Sequence, residues 1–322
     1  METIEGTRLF GAVLITGCQF EIGQGLCRIL KTTGTANTVV GSDFSTDHAA
    51  PLIFDHFEQS AHPNDAGYFT SIRQIVQKHK IDLIIPMSEA EIFLFARRGY
   101  CSSFEGTPVL TANEQAILVG QDKLATAQFL AGQGIPHPWT NTVESNDPRE
   151  VPCFIKPRNG NEGKGVQLVS DPELIRVLRR TRSDHVWQER LTPEHEEYTC
   201  GLFRSVAGET RSISIRRRLQ GGYTSSGQVI CNNEIRMYLH RIAESLNLLG
   251  SINVQLKLTA AGPVAFEINP RFSSTVVFRH LLGFEDFIWA LQDLKGIRPG
   301  PYQPAKDGIR FYRAPRELII ST

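Results

Sequence analysis

The stretch SINVQLKLTAAGPVAFEINPRF, residues 251–272, decides how the rest of the chain is read. Two runs, SINVQLKLT (251–259) and PVAFEIN (263–269), are joined by Ala260–Gly262, whose loop chemistry predicts a tight hairpin of antiparallel strands. Across such a hairpin Gln255 lies near Glu267, and the two-residue period of a strand sets Glu267 and Asn269 on one face. Three oxygen-bearing side chains then converge. One carboxylate and amide oxygens, with phosphates completing the shell, make a donor set suited to hard Mg²⁺. Arg271 extends the same face, where it can meet a developing phosphoryl or tetrahedral anion. The alternative is a half-exposed sheet whose polar residues simply alternate outward; the apolar neighbours in PVAFEINPRF argue against it.

Upstream, FIKPRNGNEGKGV (154–166) delivers Lys156 at the end of a strand, follows it with Gly160, Gly163 and Gly165, and resumes a strand at Val166. Glycine lets such a loop approach phosphates closely while Lys156 and Lys164 supply charge. The spacing is not that of a Walker A loop, and a hairpin tip with exposed lysines is an equal reading of this motif alone.

Around these motifs the grammar changes twice. The first hundred residues alternate strands (12–16, 37–43, 82–86) with helices (23–32, 68–79, 89–97), which predicts a parallel α/β sheet. Its first turn carries Gly17, Gly23 and Gly25; the first two are six residues apart, so the dinucleotide fingerprint is missing and Asp43 reads as a solvated strand end. Residues 113–133 read as helix with a break around Val119–Asp122. Between 151 and 230 strands dominate, at 153–157, 165–169, 185–189, 198–203 and 211–219, with a helix over 172–181 and a turn over 221–227. A helix from Asn232 to about Leu248 precedes the hairpin, Thr275 to Gly296 reads as helical, and IRFYRA (309–314) as a last strand.

Composition limits what such a chain can do. Its 322 residues suggest about two domains of ordinary size. A hydrophobic fraction of 41% and a charged fraction of 21% exclude disordered and fibrous classes. Basic and acidic residues number 34 each, so no bulk field recruits nucleic acid or an anionic membrane. The six cysteines show no zinc spacing and read as reduced, packed thiols. The start lacks a secretory pattern and no run is long enough to span a bilayer, so the expectation is a cytoplasmic protein.

In this order and spacing, Asp122–Lys123, IPHPW (135–139), FIKP with its glycine loop, VWQERL (186–191), Glu197–Tyr198, NVQ (253–255) and FEINPRF (266–272) resemble the ATP-grasp superfamily, in its carbamoyl-phosphate synthetase large-subunit branch. LITGCQFEIGQ (14–24) is similar to the opening of that branch's preceding domain, so the likeness spans the chain. It implies an α/β and α+β architecture: a Rossmann-like preATP-grasp domain (1–110), a small subdomain with a glycine-rich lid (111–190) and a large subdomain with a metal site (191–322).

The resemblance also implies roles. Lys123 and Lys156 would contact ATP phosphates under a lid of Gly160, Gly163, Lys164 and Gly165. Glu189, Arg190 and Leu191 would form the adenine-reading hinge, and Glu197 would hold the ribose, with Glu196 beside it as the alternative register. Gln255, Glu267 and Asn269 would hold Mg²⁺, with Mn²⁺ as a substitute, and Arg271 with Lys156 would act on the reacting groups. Two departures qualify the match: there is one ATP-grasp unit where the synthetase has two, and Glu162 and Lys164 are bulkier than usual lid residues.

One basic strand stays open between two readings. In RSISIRRRL, Arg216 and Arg218 share a face with Ser212 and Ser214; that face either clamps a substrate anion in the cleft or is a charged edge strand. The expected activity is an ATP-dependent carboxylate–amine ligase working through an acyl phosphate on small-molecule substrates, without nucleic acid or membrane, and with a homodimer allowed. Alternatives are formation of a carboxy- or acyl-phosphate as the end product, a non-catalytic nucleotide-binding regulator and, third, a dinucleotide-dependent reductase.

Overall fold

The computed structural model describes residues 8–160, 165–220 and 223–314. The N-terminal unit runs β1 (Phe10–Thr16), α1 (Glu21–Thr33), β2 (Ala36–Asp43), α2 (Ala50–Ile53), β3 (His56–Gln59), α3 (Tyr68–His79), β4 (Leu83–Pro86), α4 (Glu89–Arg97), β5 (Ser103–Phe104) and β6 (Thr107–Pro108). Its sheet is parallel throughout, in the order β3-β2-β1-β4, as the alternating grammar required.

The middle comprises α5 (Glu114–Gly120), α6 (Lys123–Gly132), β7 (Thr140–Thr142), β8 (Cys153–Pro157), β9 (Gln167–Val169), α7 (Glu173–Thr181) and β10 (His185–Glu189). The remainder is β11 (Glu197–Arg204), β12 (Thr210–Gln220), β13 (Tyr223–Val229), α8 (Asn233–Ser245), β14 (Gly250–Thr259), β15 (Gly262–Asn269), α9 (Val276–Leu281), α10 (Asp286–Leu294) and β16 (Arg310–Tyr312). These give an antiparallel sheet β7-β10-β8-β9 and a six-stranded antiparallel sheet β15-β14-β11-β12-β13-β16.

Both faces of the six-stranded sheet are covered. Tyr198, Cys200, Leu202, Val254 and Leu256 pack against α8 (Leu239, Ile242) and against α5 and α6 (Ala116, Leu130). On the other face Phe203, Ile213, Ile215 and Val229 join one continuous core with Val13, Leu26 and Ile29 of the N-terminal unit and with α10 (Phe287, Leu291). The small sheet keeps its own core around Ile155, Val169 and Trp187. The first unit is therefore welded to the last by apolar burial, which fixes the loops after β1 and β4 against the hairpin β14–β15.

Local chemistry explains the boundaries. The break between α5 and α6 occurs because Asp122 leaves helical geometry and caps α6, its carboxylate accepting from Leu124 N–H. Asn232 caps α8 in the same way, accepting from Ile235 N–H.

Three expectations are corrected. The helix foreseen over 275–296 is two helices, because Gly283 takes φ 80° and turns the chain between α9 and α10. The turn foreseen over 221–227 is, from Tyr223 on, strand β13, paired with β12 and β16; residues 221–222 lie outside the described ones. Asp43 is buried rather than solvated, since the loop after β1 folds over it and Gln19 and Ser45 donate their backbone N–H groups to its carboxylate. All six cysteines are free thiols; four are buried.

Candidate active site

A cavity of about 960 Å³ lies where the three larger sheets meet. The register of the six-stranded sheet makes one wall: Thr199 pairs with Gln255 and Gln255 with Glu267, which sets Glu197, Gln255, Lys257, Glu267 and Asn269 on the cavity side. A bulge follows, Leu256 pairing with Ala265, so Phe266 is the extra residue and faces the cavity beside Glu267.

The small sheet supplies the opposite wall through Phe154 and Lys156 of β8 and Gln188 of β10. Lys156 Nζ donates to Gln188 Oε1 at 2.7 Å, and Gln188 Nε2 donates to Thr140 Oγ1 at 3.2 Å. The ammonium lies 5.3 Å and 5.1 Å from the ring centres of Phe154 and Phe266. Burial pushes its pKa down to about 8, Glu267 pulling it up and Lys123 adding to the depression. Lys123 opens α6; its Nζ donates to the Gly160 carbonyl at 2.8 Å and stands 3.6 Å from Glu267 Oε1. Arg158 donates to the capping Asp122 at 2.5 Å, tying the start of α6 to the end of β8.

Of the two adjacent glutamates, Glu197 lines the cavity, while Glu196 turns to Arg216 and to the Tyr198 hydroxyl. Glu197 Oε1 accepts from Arg217 Nη2 at 2.8 Å, and the same nitrogen donates to Gln255 Oε1 at 2.7 Å. The cleft-facing arginine of β12 is thus Arg217, with Leu219 also lining the cavity. Arg216 bonds Glu196 and Gln228 outside it, and Arg218 is exposed; neither lines the cavity, so the clamp foreseen for the pair has no support in this geometry. The edge-strand alternative fails as well, because β12 is paired on both sides.

The hinge stretch divides. Glu189 and Leu191 line the cavity, while Arg190 pairs outward with Glu194 at 2.5 Å. The carboxylate of Glu189 accepts from Trp139 N–H at 3.0 Å, which docks IPHPW onto β10. Of the glycine loop, Gly160 lines the cavity and Gly165 presents its carbonyl to Arg182, whereas Gly163 and Lys164 lie outside the described residues.

The N-terminal unit closes the third side with Gly17 and Phe20 from the loop after β1, Ile22 from the start of α1, and Ser88, Glu89 and Ala90 from the capped start of α4. Ser88 and the buried Glu91 form a capping box on α4. Burial raises the pKa of the Glu91 carboxyl, and the Ser88 and Tyr68 hydroxyls hold it at 2.7 Å each. Gly17, at φ 56°, passes so close that a Cβ would stand 2.5 Å from Glu91 Oε2. Glu89 Oε1 accepts from Arg271 Nη2 at 2.8 Å and Nε at 3.2 Å.

The donors foreseen for a metal come together but are unequal. Among the described residues no three His, Cys, Asp or Glu side chains gather as a metal cage, and Glu267 is the single carboxylate of the trio. Gln255 Oε1 is already engaged by Arg217, whereas Asn269 keeps a buried Nδ2 with no partner among the described residues.

Sequence reasoning missed Arg217, Gln188, Phe154 and Phe266 as cavity residues. Strand parity did place Arg217 opposite Arg216. What it lacked was a sign of which face looks into the cleft.

Comparison with known proteins agrees with this architecture. Residues 182–314 match the family model described as ATP-grasp in the biosynthetic pathway with Ter operon. D-alanine–D-alanine ligase of Mycobacterium sp. (strain KMS) is 27% identical over 54% of this chain and 56% of its own length. The match therefore spans little more than half of that curated relative. Among solved structures, N5-carboxyaminoimidazole synthetase from Staphylococcus aureus complexed with ADP superposes with a TM-score of 0.71 at 17% identity, covering 92% of this chain and 81% of that one. The L-amino acid ligase of Bacillus licheniformis does so with 0.68 at 16%, covering 88% and 74%. At these identities the structural likeness establishes the fold.

Proposed function

We propose that this chain, a member of the ATP-grasp superfamily, joins a carboxylate to an amine at the expense of ATP, through an acyl phosphate. The observation that carries the reading is the convergence in one cavity of Lys123 and Lys156 from one side with Glu267, Asn269 and Arg271 from the other. Two cations and a carboxylate–amide pair beside an arginine suit a polyphosphate whose terminal group is transferred.

In the first step a carboxylate oxygen of the substrate attacks the terminal phosphorus of ATP, the bond to the bridging oxygen breaks, and ADP leaves. Lys123 and Lys156 neutralise the phosphates through this change, and Lys156 exchanges Gln188 for a phosphate oxygen as partner. In the second step the amine nitrogen attacks the acyl carbon, inorganic phosphate leaves, and a proton is released, giving the amide. Arg271, beside the carboxylate–amide pair, steadies the negative charge that builds on the phosphoryl and tetrahedral species. No enzyme nucleophile is required, so the catalysis rests on placement and electrostatics.

The Glu267 carboxylate and the side-chain oxygen of Asn269 suit a divalent ion that takes most of its shell from phosphates, the unpartnered Asn269 Nδ2 is an N–H donor suited to a phosphate oxygen rather than to the ion, and Gln255 joins them only by giving up Arg217. Such an ion, Mg²⁺ by donor chemistry, would supply neutralisation of the transferring phosphoryl group. Adenine would lie along Glu189 and Leu191, and Glu197 would meet the ribose.

A coupled ADP-release screen over pairs of carboxylates and amines, with mass detection of the amide, tests the reading. ADP release that needs both partners and yields their condensed mass supports it. Release with an acid alone, leaving acyl phosphate as the end product, moves the protein to that alternative, and no release with any pair contradicts the ligase.

A further inference from the structure

Arg271 follows β15 after Pro270, and its long side chain would be free to sample many rotamers if nothing held it. Something does. Nη1 donates to the Phe272 carbonyl at 3.1 Å, and Nε and Nη2 both reach Glu89 Oε1, at 3.2 Å and 2.8 Å. Three of the five guanidinium N–H groups are thereby used within the protein, which leaves two for an anion and fixes the plane in which they point. The two side chains are 13% and 16% exposed, so solvent screens the pair only partly.

Glu89 comes from the other end of the molecule, 182 residues earlier in the chain, and its own position is over-determined. It opens α4 immediately after Ser88, whose capping box with Glu91 fixes the first turn, and Gly17 packs against that box too closely for any side chain. A rigid turn of the N-terminal unit therefore aims one carboxylate oxygen at a flexible guanidinium of the C-terminal sheet.

We infer that Glu89 is a positioning residue for Arg271, so that the N-terminal unit sets the orientation of the arginine at the reacting centre. The inference rests on the ligase reading for what Arg271 does, and on the geometry for what holds it. Glu89 also opposes any anion that Arg271 attracts, so the pair gives up some attraction in return for direction. A releasable latch would make the opposite trade, and the two differ in sign: removing a latch speeds turnover, removing a positioning group slows it.

The test uses the full chain and two variants. With a substrate pair found by ADP release, Glu89→Ala should lower kcat by about 10²-fold, the cost of a misplaced catalytic group, with the KM for ATP within about twofold. Glu89→Gln keeps an oxygen acceptor of the same length and should recover at least about tenfold of that loss. In parallel, inorganic phosphate titrated calorimetrically into the ADP-bound protein should bind Glu89→Ala about tenfold more tightly than wild type, the attraction regained while turnover is lost. Wild-type kcat in Glu89→Ala, a Glu89→Gln variant faster than wild type, or equal losses in both variants with equal falls in Tm would overturn the inference. Should no substrate pair be turned over by wild type, the ligase reading fails while the phosphate titration still decides: equal affinity in wild type and Glu89→Ala overturns the positioning role.

Discussion

Lys156 Nζ donates to Gln188 Oε1 at 2.7 Å, with the ring centres of Phe154 and Phe266 5.3 Å and 5.1 Å from the ammonium. This apolar setting costs the charged form its hydration, and the pKa falls to about 8. A phosphate needs the protonated form. ADP affinity should therefore fall on the order of tenfold between about pH 7 and pH 9.5, measured by calorimetry, and the dependence should vanish in Lys156→Met. A flat wild-type profile would remove Lys156 from the phosphate site. The contribution to folding has the other sign: the stabilisation from a depressed lysine is complete above its ordinary value of 10.5 and is lost as pH falls through about 8.

Glu267 is the carboxylate of the Gln255, Glu267 and Asn269 trio, and Lys123 stands 3.6 Å away. Glu267→Gln keeps the shape and removes the charge. ADP release should drop about 10²–10³-fold, with a Tm close to that of wild type and a response to added Mg²⁺ much weaker than normal. Unchanged magnesium dependence would put the metal elsewhere.

The neighbouring arginines of β12 separate two accounts of that strand. Arg217→Ala removes the partner of both Glu197 and Gln255, and the KM for ATP should rise about tenfold. Arg216→Ala breaks a partly exposed pair with Glu196, 41% exposed on the arginine side, and should change it by less than about twofold. The reverse ranking would mean that the opposite face of β12 serves the cleft.

Deep in the shared core Arg279 and Asp286 are both essentially inaccessible, 3.2 Å apart, and Ser251 donates to the same carboxylate oxygen at 2.5 Å. Asp286→Ala would strand a buried guanidinium without its counter-charge. The expected loss is about 3–5 kcal/mol in a denaturant titration, and a loss below about 1 kcal/mol would show that the pair is not needed.

The sequence was most legible where one short motif fixed both geometry and chemistry. SINVQLKLTAAGPVAFEIN reads as a hairpin by its loop chemistry, and its alternation placed Glu267 and Asn269 on one face, as the pairings Gln255↔Glu267 and Asn253↔Asn269 do. The interruption around Val119–Asp122 was visible in the spacing of the apolar residues, and the structure supplies its cause in the Asp122 cap of α6. Arg217 was hidden for a physical reason. Both faces of the six-stranded sheet are covered, so Ser212 and Ser214 do not mark a solvent or cleft side, and polarity along β12 carries no direction. The burial of Asp43 depended on the loop after β1 folding back over it, and the Glu89–Arg271 contact joins positions 182 apart. No local pattern encodes such contacts. They arise from the packing of the first unit against the last.

The central claim is that a substrate carboxylate attacks ATP and is released as part of an acyl phosphate. A carboxylate labelled with heavy oxygen tests it most directly, because that route moves one labelled oxygen from the acid to inorganic phosphate in each turnover. With a pair identified by ADP release, mass spectrometry of the phosphate should find one heavy oxygen per phosphate formed, and ADP as the only nucleotide product. Unlabelled phosphate, or AMP with labelled carboxylate retained, would contradict the account.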